Sequence, residues 1–130
     1  MHSVQTQSIV RRILDLPMGQ TVKRFLDYLV VEAGLSTNTV LGYGRDLKGF
    51  LEFCRDQDLQ DLAQVSPLLI QNYMEVLGGQ AKADASIKRF LVAVRMLLRF
   101  GMLRGLVKDD LTSILESPKI WQRLPTICSR

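Results

Sequence analysis

Apolar residues recur at the spacing of an α-helix in four successive stretches of this chain, and no stretch alternates with the period of two that a half-buried β-strand requires. Residues that typically begin or end helices stand at the boundaries of these stretches. Gly34 is a helix stop, and Ser36 and Ser66, the latter followed by Pro67, are N-caps. The pattern predicts an all-α protein, a small bundle of four to five helices. The predicted helices cover residues 21–33, 36–55, 66–77 and 84–104, with a short fifth helix over 109–116.

The length of the chain favours one domain. Its 130 residues, 47% of them hydrophobic, are enough for a single compact core and too few for two ordinary domains. Residues 1–18 are polar and then mildly amphipathic, and Pro17 and Gly19 mark the boundary that follows them. We therefore expect an N-terminal tail over 1–18, a helical domain over 19–117 and a linker leaving the domain over 118–130.

Composition excludes several classes of site. The two cysteines, Cys54 and Cys128, form no CxxC pair, and the single histidine, His2, stands near the terminus, so we expect no metal, no cofactor and no disulfide framework. No apolar run approaches the ~20 residues of a membrane span, and the N-terminus lacks the apolar region of a signal peptide. A cytoplasmic protein without a membrane partner is the expectation.

Basic residues concentrate in the predicted fourth helix. Between Gln80 and Gly105 six basic residues stand against one acid, Asp84, for a local net charge of +5 in a chain whose net charge is +4. Basic residues on one helical face suit neutralisation of phosphates, although a solvated surface helix is an equally good interpretation of the charge pattern alone. The candidate residues, placed opposite the apolar stripe or just before the helix, are Lys82, Lys88, Arg89, Arg95 and Arg99.

The predicted second helix offers another candidate face. Its N-terminal residues carry three hydroxyls and an amide where backbone N–H groups and the helix dipole already favour an anion. Helical spacing also places Gly42, Arg45 and Gly49 opposite the apolar stripe, where small residues allow close approach of a DNA backbone or of a neighbouring helix. Capping by Ser36 accounts for part of this pattern without any ligand. The candidate residues are Ser36, Thr37, Asn38, Thr39 and Arg45.

The residues form no recognisable catalytic constellation. No nucleophile stands with a base, and neither a phosphate-cradling glycine loop nor a paired-carboxylate site is present. The three tyrosines, Tyr28, Tyr43 and Tyr73, fall within predicted helices, where core packing is their default role. We expect no enzymatic activity from these 130 residues.

Three stretches of this sequence closely resemble the N-terminal half of Xer-type tyrosine recombinases, members of the phage integrase family. They are FLDYLVVEAGLSTNTVLGYGRDLKGFLEFC, ASIKRFLVAVRMLLRF and ILESPKIWQRLP, and their order and spacing extend the resemblance over roughly residues 21–126. The resemblance implies a SAM-like core-binding domain that forms one half of a clamp around duplex DNA. It also implies a separate C-terminal domain, absent here, that supplies the catalytic arginines and the nucleophilic tyrosine.

By the same resemblance, the predicted second and fourth helices face the major groove and its phosphates, and these are the helices that carry the candidate residues. Two departures from the family pattern stand out. Gly44 occupies a position that is often Arg or Lys, which is expected to remove a phosphate contact and to loosen the helix. Ala83 replaces the usual serine cap of the fourth helix, and Asp84 places an acid beside the expected DNA surface.

Two functions are consistent with these observations. The first is sequence-directed binding of a duplex recombination site, in chromosome-dimer resolution or in integration of mobile DNA, with partner recombinase subunits in the full-length protein and a monomeric isolated domain. The second is a helical module that binds another protein through its basic or apolar surface. Competition by nonspecific duplex DNA distinguishes them, because a module that binds a protein should ignore the duplex.

Overall fold

The computed structural model describes the backbone of residues 4–108 and the side chains of residues 8–108. Within this range the chain forms helices and no strand, so the predicted all-α class is confirmed. It divides into two compact units, one ending at Asp61 and the other beginning at Leu62. The helices are α1 (Val4–Leu14), α2 (Gly19–Val31), α3 (Thr37–Asp56), α4 (Pro67–Gly79) and α5 (Asp84–Leu103), with a 3₁₀ turn at Leu62–Gln64.

The first unit is built from α1, α2 and α3. Phe25 on α2 and Phe50 on α3 are fully buried, and apolar side chains from both helices complete the core. The structure differs from the expected N-terminal tail, because α1 is helical and packs against both α2 and α3. The physical reason is burial of an apolar face that the sequence shows only weakly: Ile13 has no exposed surface, and Leu16 is buried just after the helix.

A tight turn joins α1 to α2. The backbone N–H of Gly19 donates to the carbonyl oxygen of Leu16 (3.0 Å), and Met18 adopts a left-handed backbone with φ of 63°. A Cβ at residue 19 would collide with the carbonyl oxygen of Ile13, so glycine is required there. The predicted boundary at Pro17 and Gly19 is therefore a turn between two packed helices. At the other end of α2, Gly34 has a φ of +72° and ends the helix as expected.

The second unit is built from α4, α5 and the 3₁₀ turn. Ser66 caps α4 by accepting a hydrogen bond from the backbone N–H of Leu69 (3.1 Å), with Pro67 at the first helical position, as the sequence predicts. Tyr73 and Phe90 meet edge to face, with ring centroids 4.9 Å apart. Gly101 is buried, and its lack of a side chain lets Leu62 approach α5 closely.

The end of α4 differs in one detail from the sequence prediction. The helix continues through Gly78 and Gly79, the expected stop, and the chain reverses two residues later at Ala81, whose φ of 59° is left-handed. The backbone N–H of Lys82 then donates to the carbonyl oxygen of Leu77 (3.1 Å). The predicted fifth helix, the predicted linker and Cys128 lie outside the described residues.

Candidate nucleic-acid interface

Ser36 closes the N-terminus of α3. Its Oγ accepts a hydrogen bond from the backbone N–H of Thr39 (3.2 Å) and donates one to Thr39 Oγ1 (2.9 Å), so the predicted cap is confirmed. Thr37 and Asn38 are the next two residues, and their N–H groups have no intrahelical acceptor at this end of the dipole. Three of the four side chains are exposed and that of Thr37 is partly buried. This end of α3 has the chemistry of an anion site.

One side of α3 is formed by Asn38, Gly42, Arg45 and Gly49, which we call the α3 outer face. Asn38 and Arg45 are exposed and the two glycines are partly buried. At 3.6 residues per turn, the four positions fall within about 60° of one another around the helix. The opposite side carries the buried residues, Leu47 among them. The sequence pattern separates these two sides in the same way.

The cations of α3 differ in their local partners. Lys48 Nζ lies 3.0 Å from Glu52 Oε2, and Arg55 Nε lies 3.5 Å from Asp56 Oδ1. Among the residues that the structure describes, the side chain of Arg45 has no ion pair or hydrogen bond of this kind. Lys48 and Arg55 are thus each paired with a carboxylate on α3, and Arg45 is not.

Gly44 does not belong to the α3 outer face. It is buried, and a Cβ built there would lie 3.3 Å from Ile9 Cγ2 and 3.4 Å from Leu26 Cδ1. The expectation that glycine here removes a phosphate contact is wrong, because the position faces the packing of α1 and α2. Glycine instead allows these helices to approach α3.

Three cations share one side of α5: Lys88, Arg95 and Arg99, which we call the α5 cationic stripe. They lie within about 40° of one another around the helix and extend about 16 Å along its axis. Lys88 and Arg99 are exposed, and Arg95 is partly buried. None of them lies on the buried side formed by residues such as Phe90. The stripe is longer than the ~12 Å width of the major groove of B-DNA.

The other basic residues of this region are placed differently. Arg89 is exposed, but it lies about 100° around the helix from Lys88, outside the α5 cationic stripe. Lys82 is exposed in the segment before α5. Arg104 lies over the ring of Phe100, with its guanidinium carbon 5.0 Å from the ring centroid. The predicted set on this helix therefore divides into one stripe and two separate cations, Arg89 and Lys82.

The N-terminus of α5 lacks the features found at the start of α3. Ala83 is the N-cap and makes no side-chain hydrogen bond, as its sequence implies, and Asp84 occupies the first turn. The carboxylate interacts favourably with the helix dipole and repels an approaching phosphate. Any phosphate contact of α5 therefore depends on the cations along the helix and not on its N-terminus.

Other kinds of site have little support in the described part of the chain. Tyr73 is buried against Phe90, and Tyr28 and Tyr43 are partly buried. Among residues 8–108 no group of three or more His, Cys, Asp or Glu side chains could hold a metal ion. None of the helices described is both long and apolar enough to cross a membrane.

Most of the described part of the chain matches a known protein family. Residues 22–105 match the sequence model of the phage integrase N-terminal SAM-like domain. The chain belongs to this family. The match covers α3 and α5 completely, so both candidate surfaces lie within the SAM-like domain, whereas α1 precedes it.

Individual relatives agree with the family match. Tyrosine recombinase XerC of Leptospira interrogans is 33% identical over 109 residues, which are 83% of this chain and 35% of the relative. Tyrosine recombinase XerD of Halalkalibacterium halodurans is also 33% identical over 109 residues, and XerD of Staphylococcus aureus is 29% identical over 110 residues. The chain spans only 35–37% of the length of these relatives. No solved structure gave a significant match.

Proposed function

We propose that this SAM-like domain binds duplex DNA as the N-terminal half of a tyrosine site-specific recombinase. The α5 cationic stripe is the observation that carries the proposal. Three cations in line match the polyanionic surface of a duplex, and α5 carries a single acid, Asp84, in its first turn. Each phosphate they neutralise releases counterions and increases affinity.

The start of α3 carries a second proposed contact, which lies in the other compact unit. The N–H groups of Thr37 and Asn38 and the hydroxyls of Thr37 and Thr39 suit a phosphate. Phosphate contacts of this kind fix the position of a protein on the duplex. The proposal assigns the same role, more peripherally, to Lys82 and Arg89.

The relatives extend the proposal beyond binding. Because they are tyrosine recombinases, we propose that the domain serves strand exchange at a recombination site, either on the chromosome or in mobile DNA. Catalysis would then reside in a further domain, and partner recombinase subunits would bind the same recombination site on the DNA. A cytoplasmic location belongs to this proposal, since the substrate is DNA.

Fluorescence anisotropy of a labelled duplex tests the proposal directly. The 130-residue chain is titrated at about 50 mM and about 200 mM salt, a range over which three phosphate contacts alone lower affinity roughly 40-fold. Excess unlabelled duplex should displace the probe, whereas polyglutamate, which imitates an acidic protein surface, should compete poorly. Absence of binding at low salt would overturn the proposal. Equal displacement by polyglutamate would favour a module that binds acidic proteins.

A further inference from the structure

The two candidate surfaces differ in the kind of recognition that their side chains allow. The α5 cationic stripe contains only cations, and the same side of the helix also carries Val92, which is partly buried, and Asp84 in the first turn. Cations in such a row neutralise phosphates on any sequence. The α3 outer face instead combines a guanidinium, that of Arg45, with an amide, that of Asn38, and the α5 cationic stripe has no amide. These are the groups that pair in a bidentate manner with adenine and with guanine in the major groove.

The spacing of Asn38 and Arg45 suits base recognition by one helix. They are seven residues apart, which places them within about 20° of each other around α3 and about 10 Å apart along its axis. Successive base pairs are about 3.4 Å apart along the duplex. Both side chains can therefore point to the same groove and meet base pairs about three steps apart.

Two glycines share this side of α3 with the two side chains. Gly42 lies between Asn38 and Arg45 along the helix axis, about 40° around the helix from Asn38, and Gly49 follows about one turn after Arg45. A glycine inside a helix costs about 1 kcal/mol of stability relative to alanine, and α3 has one at each of these two positions. Because no side chain projects from them, the helix axis can approach the bases more closely than a helix with larger residues there.

We infer that Asn38 and Arg45 read base edges and determine the sequence preference of the domain, while the α5 cationic stripe contributes affinity without preference. This inference rests on the proposed DNA binding. It assigns direct readout to α3 and predicts that the arginine at position 45 has a geometric role that a lysine cannot replace.

Selection from a duplex library randomised over about one helical turn, ~10 base pairs, identifies the preferred sequence of the wild-type chain. The selected duplex and a scrambled duplex are then titrated against wild type, Arg45→Lys, Asn38→Ala and Arg99→Lys. Arg45→Lys keeps the charge but loses the bidentate fork, and Arg99→Lys makes the same exchange on α5. Thermal melting verifies that each variant is folded.

Arg45→Lys and Asn38→Ala should each reduce the preference for the selected duplex by about 5- to 150-fold, at positions about three base pairs apart, with little change on the scrambled duplex. Arg99→Lys should leave the preference intact. The inference is overturned if wild type enriches no sequence, or if the α3 variants weaken both duplexes equally, and the proposed DNA binding survives either result. Failure of wild type to bind any duplex overturns both.

Discussion

Ser36 and Thr39 are joined by two hydrogen bonds, since the Ser36 hydroxyl accepts from the backbone N–H of Thr39 at 3.2 Å and donates to its side-chain oxygen at 2.9 Å. The cap stabilises α3 whether or not DNA binds. Ser36→Asp separates the two roles, because aspartate caps as well as serine but brings a negative charge to the proposed phosphate site. We expect unchanged or higher thermal stability and severalfold weaker duplex binding, measured by melting and by anisotropy.

Ser36→Ala is the matched control. It removes the cap without adding charge and should cost about 1 kcal/mol of stability, with a smaller effect on affinity. Wild-type affinity in Ser36→Asp would show that no phosphate approaches this end of α3.

The packing of Gly44 against α1 and α2 can be tested by substitution. Arginine at 44 would direct a long cationic side chain toward Ile9 and Leu26, in the packing of α1 and α2. Overpacking of this kind costs about 1–3 kcal/mol. We therefore expect Gly44→Arg to lower the melting temperature without improving duplex affinity. A tighter complex with unchanged stability would return residue 44 to the DNA surface.

At the end of α4, an alanine stands where the backbone favours glycine, and a glycine stands where the helix favours alanine. Ala81 is left-handed, which costs an alanine about 1–2 kcal/mol, whereas Gly79 is helical and a Cβ there would meet nothing within 4 Å. Ala81→Gly and Gly79→Ala should each stabilise the protein by up to about 1 kcal/mol, and the double variant by nearly the sum. Denaturant unfolding measures both effects. Destabilisation by Ala81→Gly would contradict the described end of α4.

The sequence predicts four of the helices well, because their apolar faces are strong and their caps are local. Ser36 and Ser66 cap as expected since a serine cap needs only the N–H groups of its own helix. The role of α1 could not be predicted with the same certainty. Its stability depends on burying Ile13 among residues distant in sequence.

In the candidate site too, positions set by helical spacing could be predicted from the sequence, whereas a position set by packing against another helix could not. Helical spacing is sufficient to place Asn38 and Arg45 on one side of α3, and it also separates Arg89 from Lys88 once the positions are counted around the helix. Gly44 could not be assigned in this way. Its environment is set by α1, which the sequence pattern does not identify as a helix.

Cys54 should be inert in the folded protein. It is fully buried, and burial raises the pKa of its thiol from 9.0 to about 12. In Cys128→Ser, Cys54 is the only remaining thiol, so a thiol reagent should react with it only after denaturation. The Cys54 thiol ionises near pH 9 in the unfolded chain and near pH 12 in the folded protein. The free energy of unfolding should therefore fall as pH rises through this interval. Rapid labelling of native protein would contradict the buried environment.

The α5 cationic stripe predicts a graded response to salt. Replacing Lys88 or Arg99 by alanine should weaken duplex binding and reduce the slope of log K against log salt by about one for each phosphate that is no longer neutralised. Arg24→Ala, an exposed arginine on α2, removes the same charge and should leave the slope unchanged. Arg89→Ala tests whether the position of a cation on α5 matters or only the total charge, because Arg89 lies about 100° around the helix from Lys88. We expect a smaller reduction of the slope than in Arg99→Ala. A reduction of the slope equal to that of Arg99→Ala would show that charge, and not its position on α5, governs binding.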